Sequence, residues 1–290
     1  MSEAQAPCAL RQYNSHGHVC RLLLCAPTYF SEFEISGIAH RRVQTGDGVG
    51  ISVAKQMHEG LAHALEEAGI EIYWEQPHPD HAWQVCTRDV GVNTPAGVLI
   101  GKFRHELRWG DEEFAIEALN GLGATIVGRV SRGTVEGGDC WLLDEETLVI
   151  GAGNHSTPEG IENAAEILRP HGVDIVPVDF DPSRHRLDMV FCVLAEKLAL
   201  YGEDGLAASY VQYLKDRGWR LIPLPEEQVM RGGCNVLSLG EDRILSFAEN
   251  QSVNELLIAE GFEVLVPPLH EFTKMGGGPH RLTFEIEREP

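Results

Sequence analysis

Residues 64–74, ALEEAGIEIYW, run from the end of a helical pattern through Gly69 into a short apolar strand. The same grammar returns four times, as ALNGLGATIVG (118–128), ILRPHGVDIVP (167–177), YLKDRGWRLIP (213–223) and LIAEGFEVLVP (257–267). Gly69, Gly123, Gly172, Gly218 and Gly261 hold the equivalent place, each followed by an apolar residue, any residue and two more apolar ones. Glycine just past a helix end takes the left-handed conformation that other residues resist. The segment after it then reads as a strand leaving the cap. Successive glycines are 54, 49, 46 and 43 residues apart, the spacing of one supersecondary unit.

Hairpin-like pairs of strands lie between these units. DVGVNTPAGVLIG turns at Thr94–Gly97, DCWLLDEETLVIG at Asp144–Glu146 and CNVLSLGEDRILSF at Gly240–Asp242. DMVFCVLAEKLALY (188–201) belongs to the same class, with an unmarked turn and a helix as its alternative. The fifth pair must come from the chain ends, HRLTFEIE (280–287) beside HVCRLLLCAP (18–27). Five such units predict an α/β ring of five blades, closed by pairing the terminal strands and so without an open edge. An ordinary doubly wound α/β sheet also alternates helices and strands, but it leaves the regular hairpins unexplained. No G-x-G-x-x-G joins an early strand to a helix, so a dinucleotide fold has no support. The expected layout is a flexible segment, 1–17, and one propeller domain, 18–290.

A formal charge of −21 argues against the clustered basic surface that nucleic acids and anionic membranes need. It favours cationic ligands. The N-terminus shows no secretory pattern, and no apolar run approaches the length of a spanning helix. Seven cysteines without a CxxC pair suit reduced thiols, so the expected compartment is the cytoplasm.

The strand pairs begin with distinctive residues: Asp89 in TRDV, Asp139 in VEGGDC, Asp188 in HRLDMV, Cys234-Asn235 in RGGCNV and His280-Arg281 in GGGPHRL. Equivalent positions in a ring lie at equivalent radii, so three carboxylates are expected to converge near the axis, with Glu136 beside them. Clustered carboxylates raise one another's pKa unless a cation sits among them, and a guanidinium fork matches them well. Gly137-Gly138 and Gly276-Gly277-Gly278 fit a close backbone approach to a ligand, or tight turns at closure.

TRDVGVNTPAGVLIG (87–101), EGGDCWLL (136–143), LDMVF (187–191), NVLSLG (235–240) and GGGPHRLT (276–283) resemble the guanidino-group-modifying family. This family comprises arginine deiminases, dimethylarginine hydrolases and amidinotransferases, which share the five-fold pentein propeller. The likeness runs roughly from Leu22 to Thr283. It implies a cysteine thiolate that attacks the guanidinium carbon, a histidine that moves protons and acidic side chains that hold the guanidinium. Carried over, Asp89 grips guanidinium nitrogens, Glu136 partners the histidine, Asp139 is its companion and Asp188 completes the acidic set. The chain departs from the pattern twice. Arg186 stands at the histidine's place, with His185 one residue early, and Arg281 stands at the nucleophile's place. A guanidinium is neither nucleophile nor base at neutral pH.

Two functions follow as expectations. The first is a divergent protein that binds or transforms an arginine-like guanidino compound without the Cys-His covalent route. Glu136, His185 and His280 would then do acid–base work, and Asp89, Asp139, Asp188, Arg186 and Arg281 would bind substrate. A one-residue strand slip would bring His185 in, and Cys234 is a better substitute thiol than Cys140. The second is an inactive pseudoenzyme in which Arg281 inserts its own guanidinium among Asp89, Asp188 and Glu136. Arg41, Arg42, Arg104 and Arg108, on loops 35–50 and 103–113, are candidates for a substrate carboxylate. No cofactor is expected. A metal at His16, His18 and His280 ranks last, since no spacing is diagnostic. A homo-oligomer stays open.

Overall fold

A computed structural model describes residues 10–31 and 49–289. Among the described residues five three-stranded sheets form, each an antiparallel strand pair joined to one outer parallel strand. The first holds β1 (Val19–Cys25) and β2 (Glu71–Glu75), linked through helix α1 (Ile51–Glu67). The second holds β3 (Gly91–Thr94), β4 (Gly97–Ile100) and, after α2 (Asp111–Gly121), β5 (Ile126–Arg129). β6 (Cys140–Asp144), β7 (Thr147–Ala152), α3 (Pro158–Leu168) and β8 (Asp174–Asp179) repeat the unit. So do β9 (Phe191–Ala195), β10 (Leu198–Gly202), α4 (Ala208–Asp216) and β11 (Arg220–Leu224). β12 (Leu237–Gly240), β13 (Arg243–Leu245), α5 (Gln251–Ala259) and β14 (Glu263–Leu265) complete the series, and β15 (Phe284–Arg288) pairs antiparallel with β1. The innermost strands meet in the order β15, β3, β6, β9, β12, and β12 touches β1. The chain is a five-bladed α/β propeller closed by its two terminal strands.

The five repeat glycines all have positive φ, from 77° at Gly123 to 100° at Gly261. The segment 188–201 is the hairpin β9–β10, and its unmarked turn places Lys197 at a φ of 54°. Innermost strands are buried almost throughout, whereas outer strands such as β2 and β5 are partly exposed. The apolar core lies between sheets and helices, with Leu61 and Leu65 of α1 on β1 and Ala164 and Leu168 of α3 on β6–β7.

The segment expected to be flexible is held over its described part, because the inner edge of β15 needs a backbone partner. Arg288 N donates to the Arg11 carbonyl at 2.9 Å, and Ser15 N to the Leu142 carbonyl at 2.8 Å. Residues 1–9 lie outside the described residues. Nearby, Glu285 pairs with buried Arg88 and Arg288, tying β15 to the approach to β3.

Candidate functional site

Three 3₁₀ turns carry the site: Thr87–Val90, Gly137–Asp139 and Leu187–Met189, each shortly before an innermost strand. They bring Asp89, Glu136 and Asp188 toward one point, which Gly138 marks. A methyl group on Gly138 would lie 2.7 Å from Arg186 Cδ and 3.2 Å from both Asp188 Oδ2 and Asp89 Oδ1. The missing side chain is the space through which Arg186 runs.

Asp89 is 1% exposed, and its Oδ2 accepts hydrogen bonds from two guanidinium groups and is ion-paired with a third. Arg108 Nη1 lies 2.9 Å away, Arg281 Nε 3.2 Å and Arg186 Nη2 3.3 Å. Arg108 reaches on to Asp111, which meets His81 Nδ1 at 2.6 Å. Arg186 puts Nε 3.0 Å from Glu136 Oε2 and adds a second contact from Nη2. Arg281 also donates from Nη1 to the Gly276 carbonyl at 3.3 Å, and its guanidinium carbon sits 5.3 Å from the Trp83 ring centre. Arg186 and Arg281 are each only 2% exposed. Asp89, which the resemblance assigns to a substrate guanidinium, therefore holds the chain's own.

Glu136 has a second set of partners on Oε1. It accepts from Arg104 N at 3.1 Å and meets His155 Nδ1 at 3.0 Å. His155 Nε2 lies 3.2 Å from His185 Nδ1. Thr157 positions this histidine: its hydroxyl caps α3 by accepting from Gly160 N at 3.2 Å and also accepts from Thr134 N at 3.0 Å. That lays the 155–157 segment along residues 134–136, where Ser156 Oγ also accepts from Glu136 N at 3.1 Å.

Burial opposes charge throughout, and the arginines decide the outcome. Against its own desolvation, Asp89 is held below the usual carboxylate value by Arg186, Arg281 and Arg108. Glu136 goes well below, also against desolvation, through Arg186 and His155. Desolvation, with Arg186 next, lowers both His155 and His185, so both imidazoles are neutral at pH 7. Arg186 stays charged, because Asp89, Glu136 and Asp188 outweigh its burial.

Several expectations need correction. His280 is not at the acid–base centre. It stacks on Trp141 with ring centres 4.2 Å apart, its Nδ1 lies 3.2 Å from Asp188 Oδ2, and desolvation lowers it to about 4. Asp188 thus takes an imidazole rather than Arg281. Asp139 turns from the guanidinium groups to accept from Ser156 Oγ at 2.6 Å and Leu187 N at 2.9 Å. His185 reaches the site by a backbone φ of 73°, not by a strand slip. Cys140 and Cys234 are buried, and desolvation pushes both thiols up, which removes them as nucleophiles. Arg108 is a buried ligand of Asp89 rather than a surface arginine, while the Arg104 side chain is exposed. Arg41 and Arg42 lie outside the described residues. Among the described residues no three His, Cys, Asp or Glu side chains cluster as a metal site, and no helix is long and apolar enough to cross a membrane.

Desolvation raises Asp139 and Glu75 to about 8 each. The folded state binds these protons and the unfolded state releases them near pH 4, so the stabilisation is complete at low pH and is lost as pH rises through 8. Buried His58 and His280, lowered to about 4, act oppositely, but only below their unfolded value of 6.5. Urea unfolding is therefore expected to show roughly 2–4 kcal/mol less stability at pH 9 than at pH 6.5. Asp139→Asn should remove about half of that fall; an unchanged slope would show that Asp139 is ionised in the folded protein.

Propeller and axial carboxylates together define a pentein of the arginine-modifying class. The model of the family described as N,N dimethylarginine dimethylhydrolase, eukaryotic, matches residues 40–287, and the chain belongs to that family. A Streptomyces coelicolor N(G),N(G)-dimethylarginine dimethylaminohydrolase is 25% identical over 227 residues, covering 78% of this chain and 83% of the relative. The Nostoc bifunctional arginine dihydrolase/ornithine cyclodeaminase AgrE is 24% identical over 92% of this chain, which spans only 38% of AgrE. In fold, the chain superposes on the N-terminal domain of the cyanobacterial arginine dihydrolase ArgZ with a TM-score of 0.83 at 22% identity, covering 93% and 98% of the two chains.

Proposed function

We propose that this protein is a catalytically silent member of its family, whose guanidinium pocket is occupied by its own Arg186 and Arg281 and which acts by binding rather than turnover. The observation that supports this most is the Asp89 carboxylate, shared by Arg108, Arg186 and Arg281 within 3.3 Å. A free guanidino compound would have to displace two buried, ion-paired side chains to reach it. Among the described residues, Cys25, Cys86, Cys140, Cys192 and Cys234 are all buried and desolvation raises each of them, which disfavours a thiolate at these positions.

Purified protein incubated with arginine, methylated arginines and agmatine, followed by mass spectrometry, is expected to yield no product. Product in molar excess over protein, absent from a mock purification, would refute silence. A second reading, hydrolysis by an activated water without a covalent intermediate, is favoured by the Glu136–His155–His185 chain. Glu136 orients His155, and neutral His185 is the base. It requires product formation that His155→Gln abolishes.

A further inference from the structure

Beside the axial site, the loop 276–278 and the segment entering β12 enclose a cavity of about 300 Å³, at the small end of the range for ligand pockets. Its lining is graded. Phe247, Met189 and Asn235 are almost fully buried, at 1%, 7% and 1% exposure. Met230 is exposed and extends the apolar wall outward. Four ionisable side chains also line the cavity: Arg231, Lys274, His270 and Glu249. Glu249 is engaged, accepting from Leu269 N at 3.2 Å and facing His270 Nδ1 at 3.3 Å. Among the described residues Arg231 pairs with Glu227 at the surface, and both side chains are at least 70% exposed. Such a pair holds its partners weakly. Lys274 Nζ is held by the buried carboxylate of Glu271 at 3.0 Å, so in this chain of net charge −21 Arg231 is the cation a ligand can engage without breaking a buried pair.

Asn235 supplies a second, independent observation. Its Oδ1 accepts from Arg281 N at 3.3 Å, which fixes the amide orientation. The Nδ2 left over is buried and has no acceptor, a costly state unless a ligand supplies one.

We propose that this cavity is a binding site for a small carboxylic acid with an apolar body, the carboxylate toward Arg231, the body against Phe247 and the two methionines, and an oxo or hydroxyl oxygen on Asn235 Nδ2. The site does not depend on whether the axial carboxylates support turnover. It does adjoin them, because the Gly276 carbonyl in its wall accepts from Arg281 Nη1.

The test uses the full chain labelled with ¹³C at the methionine methyls, titrated with 4-oxo-4-phenylbutanoate and, separately, with its carboxamide. Saturable shifts of the Met189 and Met230 signals are expected with the acid, with affinity at least tenfold weaker for the carboxamide. Arg231→Glu, at an exposed position that leaves the spectrum of a folded protein, should weaken the acid by a similar factor. No shift of Met189 or Met230 up to the solubility limit would overturn the proposal. Equal binding of acid and amide, or undiminished binding by Arg231→Glu, would overturn it as well.

Discussion

Asp89→Ala is expected to cost at least about 3–5 kcal/mol of folding free energy, the usual loss when one partner of a buried ion pair is removed. Here one carboxylate serves Arg108, Arg186 and Arg281, all almost wholly buried. Its removal leaves three guanidinium groups short of a counter-charge where water cannot replace it. Asp89→Asn, which keeps the shape, should lose nearly as much, and this separates charge from volume. Arg281→Ala should be milder, about 1–3 kcal/mol, since Asp89 keeps Arg108 and Arg186. Thermal and urea unfolding of the four proteins measures the order. Asp89→Ala within 1 kcal/mol of wild type would mean that the cluster holds no net charge interaction.

Gly137→Ala is the second large effect, and it is steric. A methyl group there would lie 2.0 Å from the Arg88 carbonyl oxygen and 2.1 Å from that of Gly91. Both obstacles are backbone, so no rotamer change relieves them, and the turns that present Asp89 and Asp139 would have to part. The expected loss exceeds the roughly 1–3 kcal/mol of ordinary overpacking. Gly123→Ala is the control: it has a φ of 77° but no neighbour within 4 Å of an added methyl, so it should cost only about 1–2 kcal/mol of backbone strain. Equal stabilities for the two variants would show that the Gly137 turn can relax.

The fold was legible because its unit repeats. Five glycines at helix ends and the hairpin turns between them each carry a local backbone demand, and a ring satisfies them together. The same repeat put Asp89, Glu136 and Asp188 near one axis. It could not say which way a side chain leaves a 3₁₀ turn, since that depends on partners far away in sequence. Asp139 therefore looked like a ligand of guanidinium and is instead held by Ser156 and Leu187 N. His280 looked available and is clamped between Trp141 and Asp188. His155 left a fainter trace, two residues ahead of the Thr157-Pro158 helix start. Arg108 had one usable signal, its three-residue spacing from Asp111, which puts the two on neighbouring turns. Exposure is the usual fate of an arginine, and only the buried Asp89 reverses it.

Self-occupancy of the pocket is tested most directly by offering the missing group back. Millimolar guanidinium chloride, against sodium chloride of equal ionic strength, is added to wild type and to Arg281→Ala while thermal unfolding is followed. Arg281→Ala should be stabilised saturably, by about 1.4 kcal/mol at ten times the dissociation constant, and wild type not at all. Equal stabilisation of wild type, or no response from Arg281→Ala, would contradict the claim that Arg281 stands in for a ligand's guanidinium.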